Sequence, residues 1–207
     1  MVERPELKVT VFSDYICPFC YVGHARLMRL GEEWNLRVNW CFIELHPETP
    51  VAGQPVAALG YPDAQWNRMQ ENLKRMADED GLPFSDPGFT TNSRRALLLA
   101  EAAKSLGRER FYRLHEALYH ACFVAGRNIG DPEVLRGIAA SVGVPESLVE
   151  AAWREPRYPE HLSHYRELAA RVALSGVPTY LFGPRRITGA VPVARLREAA
   201  RALADTA

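Results

Sequence analysis

No apolar run in the sequence approaches the roughly 20 residues that a membrane-spanning helix needs, so a helical membrane protein is excluded as a reading. Neither sign of charge is in excess, because 25 Lys and Arg face 25 Asp and Glu. Without a net positive field there is no long-range pull on nucleic acid or an anionic bilayer, and neither is expected as a partner. Internal repeats and low-complexity tracts are missing as well. The start of the chain does not resemble a signal peptide, since Met1 to Lys8 is mostly polar and the apolar Val9, Val11 and Phe12 are too few for an h-region. The expected address is cytoplasmic. Cysteine is scarce, with four in 207 residues, and in a reducing compartment a disulfide framework is not expected. A closely spaced pair there points to redox or metal chemistry. What the chain does have is 47% hydrophobic residues, enough to bury a core without staples, in one domain or in one domain carrying a large insertion.

Leu7 to Phe12 has the length and β-branched content of a buried strand and ends in the polar break Ser13-Asp14-Tyr15. A helix is expected next, with Pro18 in its first turn and Gly31 weakening its far end. Leu36 to Leu45 reads as a second strand, with Leu36, Val38, Trp40 and Phe42 on one face and Cys41, Ile43 and Leu45 on the other. This is a β-α-β opening of α/β type. The Pro- and Gly-rich stretch between Pro47 and Pro62 marks a linker, and the chain beyond it reads as almost entirely helical. Trp66, Met69, Leu73 and Met76 recur at helical steps and read as the core of that insertion, while Asp131-Pro132 reads as an N-cap with a first-turn proline. The sheet is expected to resume at Ser175, with Gly183-Pro184 as a hairpin turn and an amphipathic closing helix through Leu196, Ala199, Ala200 and Leu203. The domain reading is therefore 6–60 with 175–205 as one discontinuous α/β unit and 61–174 as a helical insertion, a long loop whose closure entropy grows only logarithmically.

Cys17-Pro18-Phe19-Cys20 carries the chemistry. Disulfide exchange needs one thiolate to attack and a second thiol near enough to resolve the mixed disulfide. A C-x-x-C on the first turn of a helix supplies both, with Cys17 facing the free N–H groups of the helix start and Cys20 one turn further in. A helix terminus contributes about 0.3 to 1 kcal/mol, up to about 2 when partly buried, against about 1.4 kcal/mol per pKa unit. Helix electrostatics alone therefore predict only moderate activation. His24, on the same face, is the candidate cation for further tuning and acts more readily on Cys20 than on Cys17, which lies roughly 10 Å of helix rise away. A zinc site would need two more ligands at suitable spacing, and neither Cys41 nor Cys122 sits in a second pair. His115-Glu116 with His120 does not form a zincin motif, because its histidines are five apart and face different ways. No metal site is assigned. Cys41 and Cys122 read as small buried hydrophobes, and Asn92, Ser93 and Asn128 as caps.

Cys17-Pro18-Phe19-Cys20 after a strand, with Ser175-Gly176-Val177-Pro178 before the returning strand, resembles the DsbA family of thioredoxin-fold oxidoreductases. The resemblance implies a thioredoxin fold with a large all-helical insertion, and a cis peptide bond before Pro178 that faces the cysteines. Phe12-Ser13-Asp14-Tyr15, Tyr21-Val22-Gly23, Leu45-His46-Pro47, Gly126-Arg127-Asn128-Ile129-Gly130-Asp131 and Ile187-Thr188-Gly189-Ala190 are similar to the FrnE-like branch, which is grouped with 2-hydroxychromene-2-carboxylate isomerases and kappa-class glutathione transferases. His46 departs from the asparagine or aspartate of that pattern. The implied function is a thiol-disulfide oxidoreductase with Cys17 as nucleophile and Cys20 as resolving thiol. Phe19, Val177 and Pro178 would bind substrate, and Pro18 and His24 would tune the pair. The substrate would be a disulfide-containing protein or small molecule. No tightly bound cofactor is implied, with glutathione open as a co-substrate, and the chain would be a monomer or homodimer. Two alternatives stand beside this one: a glutathione-dependent isomerase or transferase, and a non-enzymatic chaperone-like binding protein.

Overall fold

The structure is a computed structural model that describes residues 4–85 and 88–204. The first residues of the N-terminal reading and the domain boundary set at 205 lie outside the described residues. Strand β1 (Glu6–Ser13) buries Leu7, Val9 and Val11 on one face and Phe12 on the other. It pairs in parallel with β2 (Asn35–Phe42) along its whole length, from Glu6 opposite Asn35 to Ser13 opposite Phe42. Parallel neighbours need a crossover, and helix α1 (Pro18–Met28), continued by a 3-10 turn over Arg29–Glu32 at Gly31, supplies it. The expected second strand stops at Phe42 rather than Leu45. Ile43 N–H still bonds Ser13 O (3.0 Å), but Leu45 N–H leaves the ladder for the Asp14 carboxylate (2.8 Å).

The two-residue β3 (Gln54–Pro55) and β4 (Phe89–Thr90) form a separate antiparallel ribbon. It corrects the expectation of a bare linker and of an insertion that is almost entirely helical. Helix α2 (Asp63–Asp80) lies on α1, with Leu73 packed against Val22 and Ala190. Arg26 of α1, 3% exposed, pins this junction by bonding Asp80, Glu79 and the Ala190 carbonyl. The centre of the helical part is α3 (Arg94–Ala103), buried on all sides from Ala96 to Ala103. A helix apolar all round belongs inside, and α4 (Arg108–Phe123), α6 (Glu146–Arg154) and α7 (Arg157–Arg171) pack on it, with α5 (Pro132–Ser141) set between α4 and α6. The Asp131 side chain accepts from Glu133 N–H and Pro132 opens α5, as the sequence indicates. Ala169 of α7 joins Phe12 and Cys41 in a small core on the second face of the sheet.

The chain returns through β5 (Thr179–Phe182), antiparallel to β1, and turns at Gly183-Pro184 into β6 (Arg185–Thr188), giving the order β2-β1-β5-β6. Gly183 has φ +57°, a left-handed value that glycine adopts without penalty. Helix α8 (Val193–Ala204) closes the fold with Leu196, Ala199 and Ala200 buried. The architecture is a thioredoxin fold with a helical insertion. Pairing of Phe12 with Thr179 brings the end of β1 beside the residues that precede β5, which sets the position of the site. Among the described residues no helix is long and apolar enough to cross a membrane.

Candidate active site

Cys17 is the residue before α1 (φ −90°, ψ 111°), with its N–H bonded to Asp14 O (3.3 Å) and its carbonyl accepting from Cys20 N–H (2.9 Å). Pro18 occupies the first helical position, where a missing N–H goes unnoticed. No acidic side chain in that first turn opposes a thiolate. Both thiols are free. Cys17 keeps 7% exposure and Cys20 only 1%, so a substrate meets Cys17 first. Across the site the Val177-Pro178 bond is cis, and the Cys17 thiol points at the Val177 carbonyl (3.7 Å). Residues from opposite ends of the sequence thus converge.

Cys20 faces the interior. Burial pushes its thiol well above the usual range, and the neighbouring Cys17 adds to this, while the Ser13 hydroxyl and Asp14 N–H pull the other way. The Ser13 and Tyr119 hydroxyls share a 2.7 Å hydrogen bond, and Tyr15 Oη bonds His115 Nδ1 at 2.6 Å. His24 lies among the rings of His115 (4.7 Å), Tyr119 (5.6 Å) and Trp40 (5.7 Å). Desolvation lowers its pKa to about 4 and drives His115 well below the ordinary value. His24 is therefore neutral at neutral pH, and its expected role as a nearby cation is corrected: the aromatic enclosure that helical spacing cannot reveal removes the charge. Asp14 was not singled out from the sequence. Burial is the main cause that raises its carboxyl to about 6, opposed by N–H donation from Leu45, then by the Ser93 hydroxyl and the Ile16 N–H. The sequence signal was there, in a charged residue at the end of an otherwise buried strand.

In front of Cys17 opens a cleft of about 840 Å³, part of it open solvent. Phe19 and Ile16 line it from the thioredoxin side, and Trp66, Met69 and Phe123 from the helical side. The stripe of α2 is thus divided. Met76 packs toward α1, Leu73 both packs on Val22 of α1 and lines the cleft, and Trp66 and Met69 form a wall of the cleft, which corrects the reading of the whole stripe as insertion core. No Lys, Arg, Asp or Glu is among the described lining residues. Cys122 lies on the same wall, its thiol pushed up to about 12 by burial, and Cys41 sits on the second face of the sheet at about 11 for the same reason. A further cleft against β2, lined by Trp40, Lys104 and Arg108, shares no lining residue with this one. Among the described residues, no group of three or more His, Cys, Asp or Glu is placed to hold a metal.

Two further residues escaped sequence reasoning in their role. A Cβ on Gly23 would stand 2.2 Å from the Tyr180 hydroxyl and 2.9 Å from Pro178 Cγ, so this glycine lets α1 approach the cis-proline loop. The Tyr180 hydroxyl itself is buried without a hydrogen-bond partner among the described residues. Asn92 and Asn128 do more than cap. Asn92 accepts from Arg94 N–H and donates to the Pro47 and Thr49 carbonyls, and Asn128 donates to Val51 O. Together they tether the segment that follows β2.

The model of the DSBA-like thioredoxin domain family matches residues 8–201. Among solved structures the chain is similar to a probable DsbA oxidoreductase from Streptomyces coelicolor, 27% identical, with a TM-score of 0.83 over 97% of this chain and 91% of that one. A 2-hydroxychromene-2-carboxylate isomerase is similar in fold at 19% identity and TM-score 0.76, with 97% of both chains covered. A cytosolic disulfide reductase, DsbM, from Pseudomonas aeruginosa, whose structure contains glutathione, shares the fold at 22% identity and TM-score 0.68, over 97% of this chain and 98% of that one.

Proposed function

The chain belongs to the DSBA-like thioredoxin domain family, and from that premise we propose that it is a thiol-disulfide oxidoreductase in which Cys17 attacks and Cys20 resolves. The observation that carries this reading is the unequal placement of the two free thiols. One stands at a helix start opposite the Val177 carbonyl and at the mouth of a cleft, and the other is buried and held protonated. Cys17 thiolate attacks a substrate disulfide, the Cys17–sulfur bond forms, and the first substrate thiol departs with the electron pair of the broken bond. Cys20 then loses its proton and attacks Cys17, releasing the second substrate thiol and leaving the Cys17–Cys20 disulfide. Phe19 would hold the apolar part of the substrate, and the Val177-Pro178 loop would align its backbone beside Cys17. Pro18 would tune the pair by withholding one donor from the helix start. We assign the chemistry to the discontinuous unit 6–60 with 175–205, and the far wall of the cleft to the insertion 61–174.

A disulfide-containing protein or small molecule with an apolar flank suits a cleft whose described lining carries no Lys, Arg, Asp or Glu. Glutathione is a candidate second thiol, although its carboxylates find no lysine or arginine among the described lining residues. A reducing, cytoplasmic setting accords with four free cysteines. Cys20→Ser tests the reading. It is expected to accumulate a mixed disulfide on Cys17 and to lose turnover, and Cys17→Ser to form none. If Cys20→Ser instead retained isomerase turnover with glutathione, the isomerase reading would replace this one.

A further inference from the structure

We infer that His46 is the proton-transfer residue of the cleft, donating to the substrate thiol that departs when Cys17 attacks. The inference rests on the oxidoreductase reading. An alkyl thiolate released into an apolar cleft loses much of its hydration, and an unpaired charge there is strongly disfavoured. A proton donor at the cleft removes that penalty. The titratable side chains among the described lining residues are Cys17, Cys122, Tyr61 and His46. Burial holds the Cys122 thiol near 12, and tyrosine is an ordinary acid only near pH 10. Imidazole carries two ring nitrogens, so that one can be held by a neighbour while the other passes a proton.

The placement of His46 is built rather than incidental. Immediately before it, Leu45 N–H is anchored on the carboxylate of Asp14, three residues ahead of Cys17 (2.8 Å). Immediately after it, the Pro47 carbonyl is held by Asn92 Nδ2 (3.2 Å), and Thr49 N–H closes a turn on His46 O (3.1 Å). His46 Nδ1 lies 3.2 Å from Glu48 Oε1. A carboxylate on one ring nitrogen orients the imidazole and leaves the other to exchange protons, the arrangement expected of an acid-base group. Among the described residues Nε2 has no protein partner.

The step balances. The Cys17 thiol loses its proton to water, and the thiolate attacks one sulfur of the substrate disulfide. The Cys17–sulfur bond forms as the substrate S–S bond breaks, and the departing sulfur keeps the electron pair and takes a proton from His46 Nε2, which water then restores. Thiol and disulfide exchange partners, with no net change in protons or electrons.

The test compares first-step rates in Cys20→Ser and in Cys20→Ser combined with His46→Gln. It uses an alkyl disulfide, bis(hydroxyethyl) disulfide, and an aryl one, dithiobis(nitrobenzoate), whose departing thiolate is stabilised and needs no proton. His46→Gln is expected to slow the alkyl reaction by about 100-fold and to leave the aryl reaction within about 3-fold. The preserved aryl rate also reports an intact site. Glu48→Gln should show the same selectivity with a smaller loss. Equal loss on both disulfides, or loss on neither, would overturn the role of His46. Failure of the parent Cys20→Ser protein to react with either disulfide at Cys17 would instead overturn the oxidoreductase reading.

Discussion

On the outer side of the α1 start, Cys17 meets a cleft whose described walls carry no lysine, arginine or carboxylate. On the inner side, the buried Cys20 meets the Ser13 hydroxyl and the Asp14 N–H, Ser13 bonds the Tyr119 hydroxyl, and two neutral imidazoles pack on the Tyr119 ring. Buried polar groups surround the inner thiol, whereas the described lining in front of the outer one is mainly apolar, with His46, Tyr61, Gln70, Thr90 and Thr91 as its polar members. This inversion has a physical consequence. On the proposed reading the open face would select a partner by shape and apolar area, whereas the buried face would set the protonation of Cys20, because low dielectric strengthens every contact made there.

The largest expected break in this comparison comes from acid. His24 is neutral in the fold down to about pH 4 but charges near 6.5 when unfolded. The unfolded state therefore binds more protons across that window, and stability falls as pH falls from about 6.5 to 4, by on the order of 3 kcal/mol. His115 acts in the same direction. Asp14, raised to about 6 by burial, acts oppositely: the native state holds its proton more tightly, and acidification from about 6 toward 3.8 restores stability. Urea midpoints between pH 7 and 4 should fall on acidification, and Asp14→Asn should steepen the decline. A flat profile in Asp14→Asn would show that the imidazoles are solvated.

Next in size is the contact between the two faces. Gly23→Ala forces a methyl into Tyr180 and Pro178 and should destabilise by about 1 to 3 kcal/mol, read by chemical denaturation. Tyr180→Phe should return part of this in the double variant, and a cycle with no coupling would contradict the geometry. Smaller still, Ser13→Ala removes a donor to the Cys20 sulfur and should slow resolution by about 5-fold, near 1 kcal/mol, without changing the first exchange step. Single-turnover release of the second substrate thiol measures it. The least effect is expected of Tyr180→Phe alone, which deletes an unpartnered buried hydroxyl and should be neutral or stabilising by up to about 1 kcal/mol.

Local chemistry carried much of this into the sequence. A β-branched run ending in Ser13-Asp14, a proline after Cys17 and Gly183-Pro184 between two short strand-like segments each leave few conformations to choose from, and β1, α1 and the β5–β6 hairpin form there. Helical periodicity showed that α2 has an apolar face but not what covers it, so Trp66 and Met69 could not be told from core residues until the cleft was seen. The β3–β4 ribbon was illegible because two residues hold no alternation to read. The charge of His24 was hidden for another reason. Its neighbour His115 lies on α4, and only tertiary packing brings the two rings to 4.7 Å. Asp14 shows the limit from the other side: its residue type was visible, but its burial and its hold on Leu45 are long-range facts.

The division of labour between the thiols is tested most directly by alkylation of the reduced, native protein with iodoacetamide, followed by mass mapping of the modified cysteine over time. Cys17 should be modified first, and Cys20, Cys41 and Cys122 only after denaturation. Modification of Cys20 ahead of Cys17, or of both at one rate, would contradict the assignment of Cys17 as the attacking thiol.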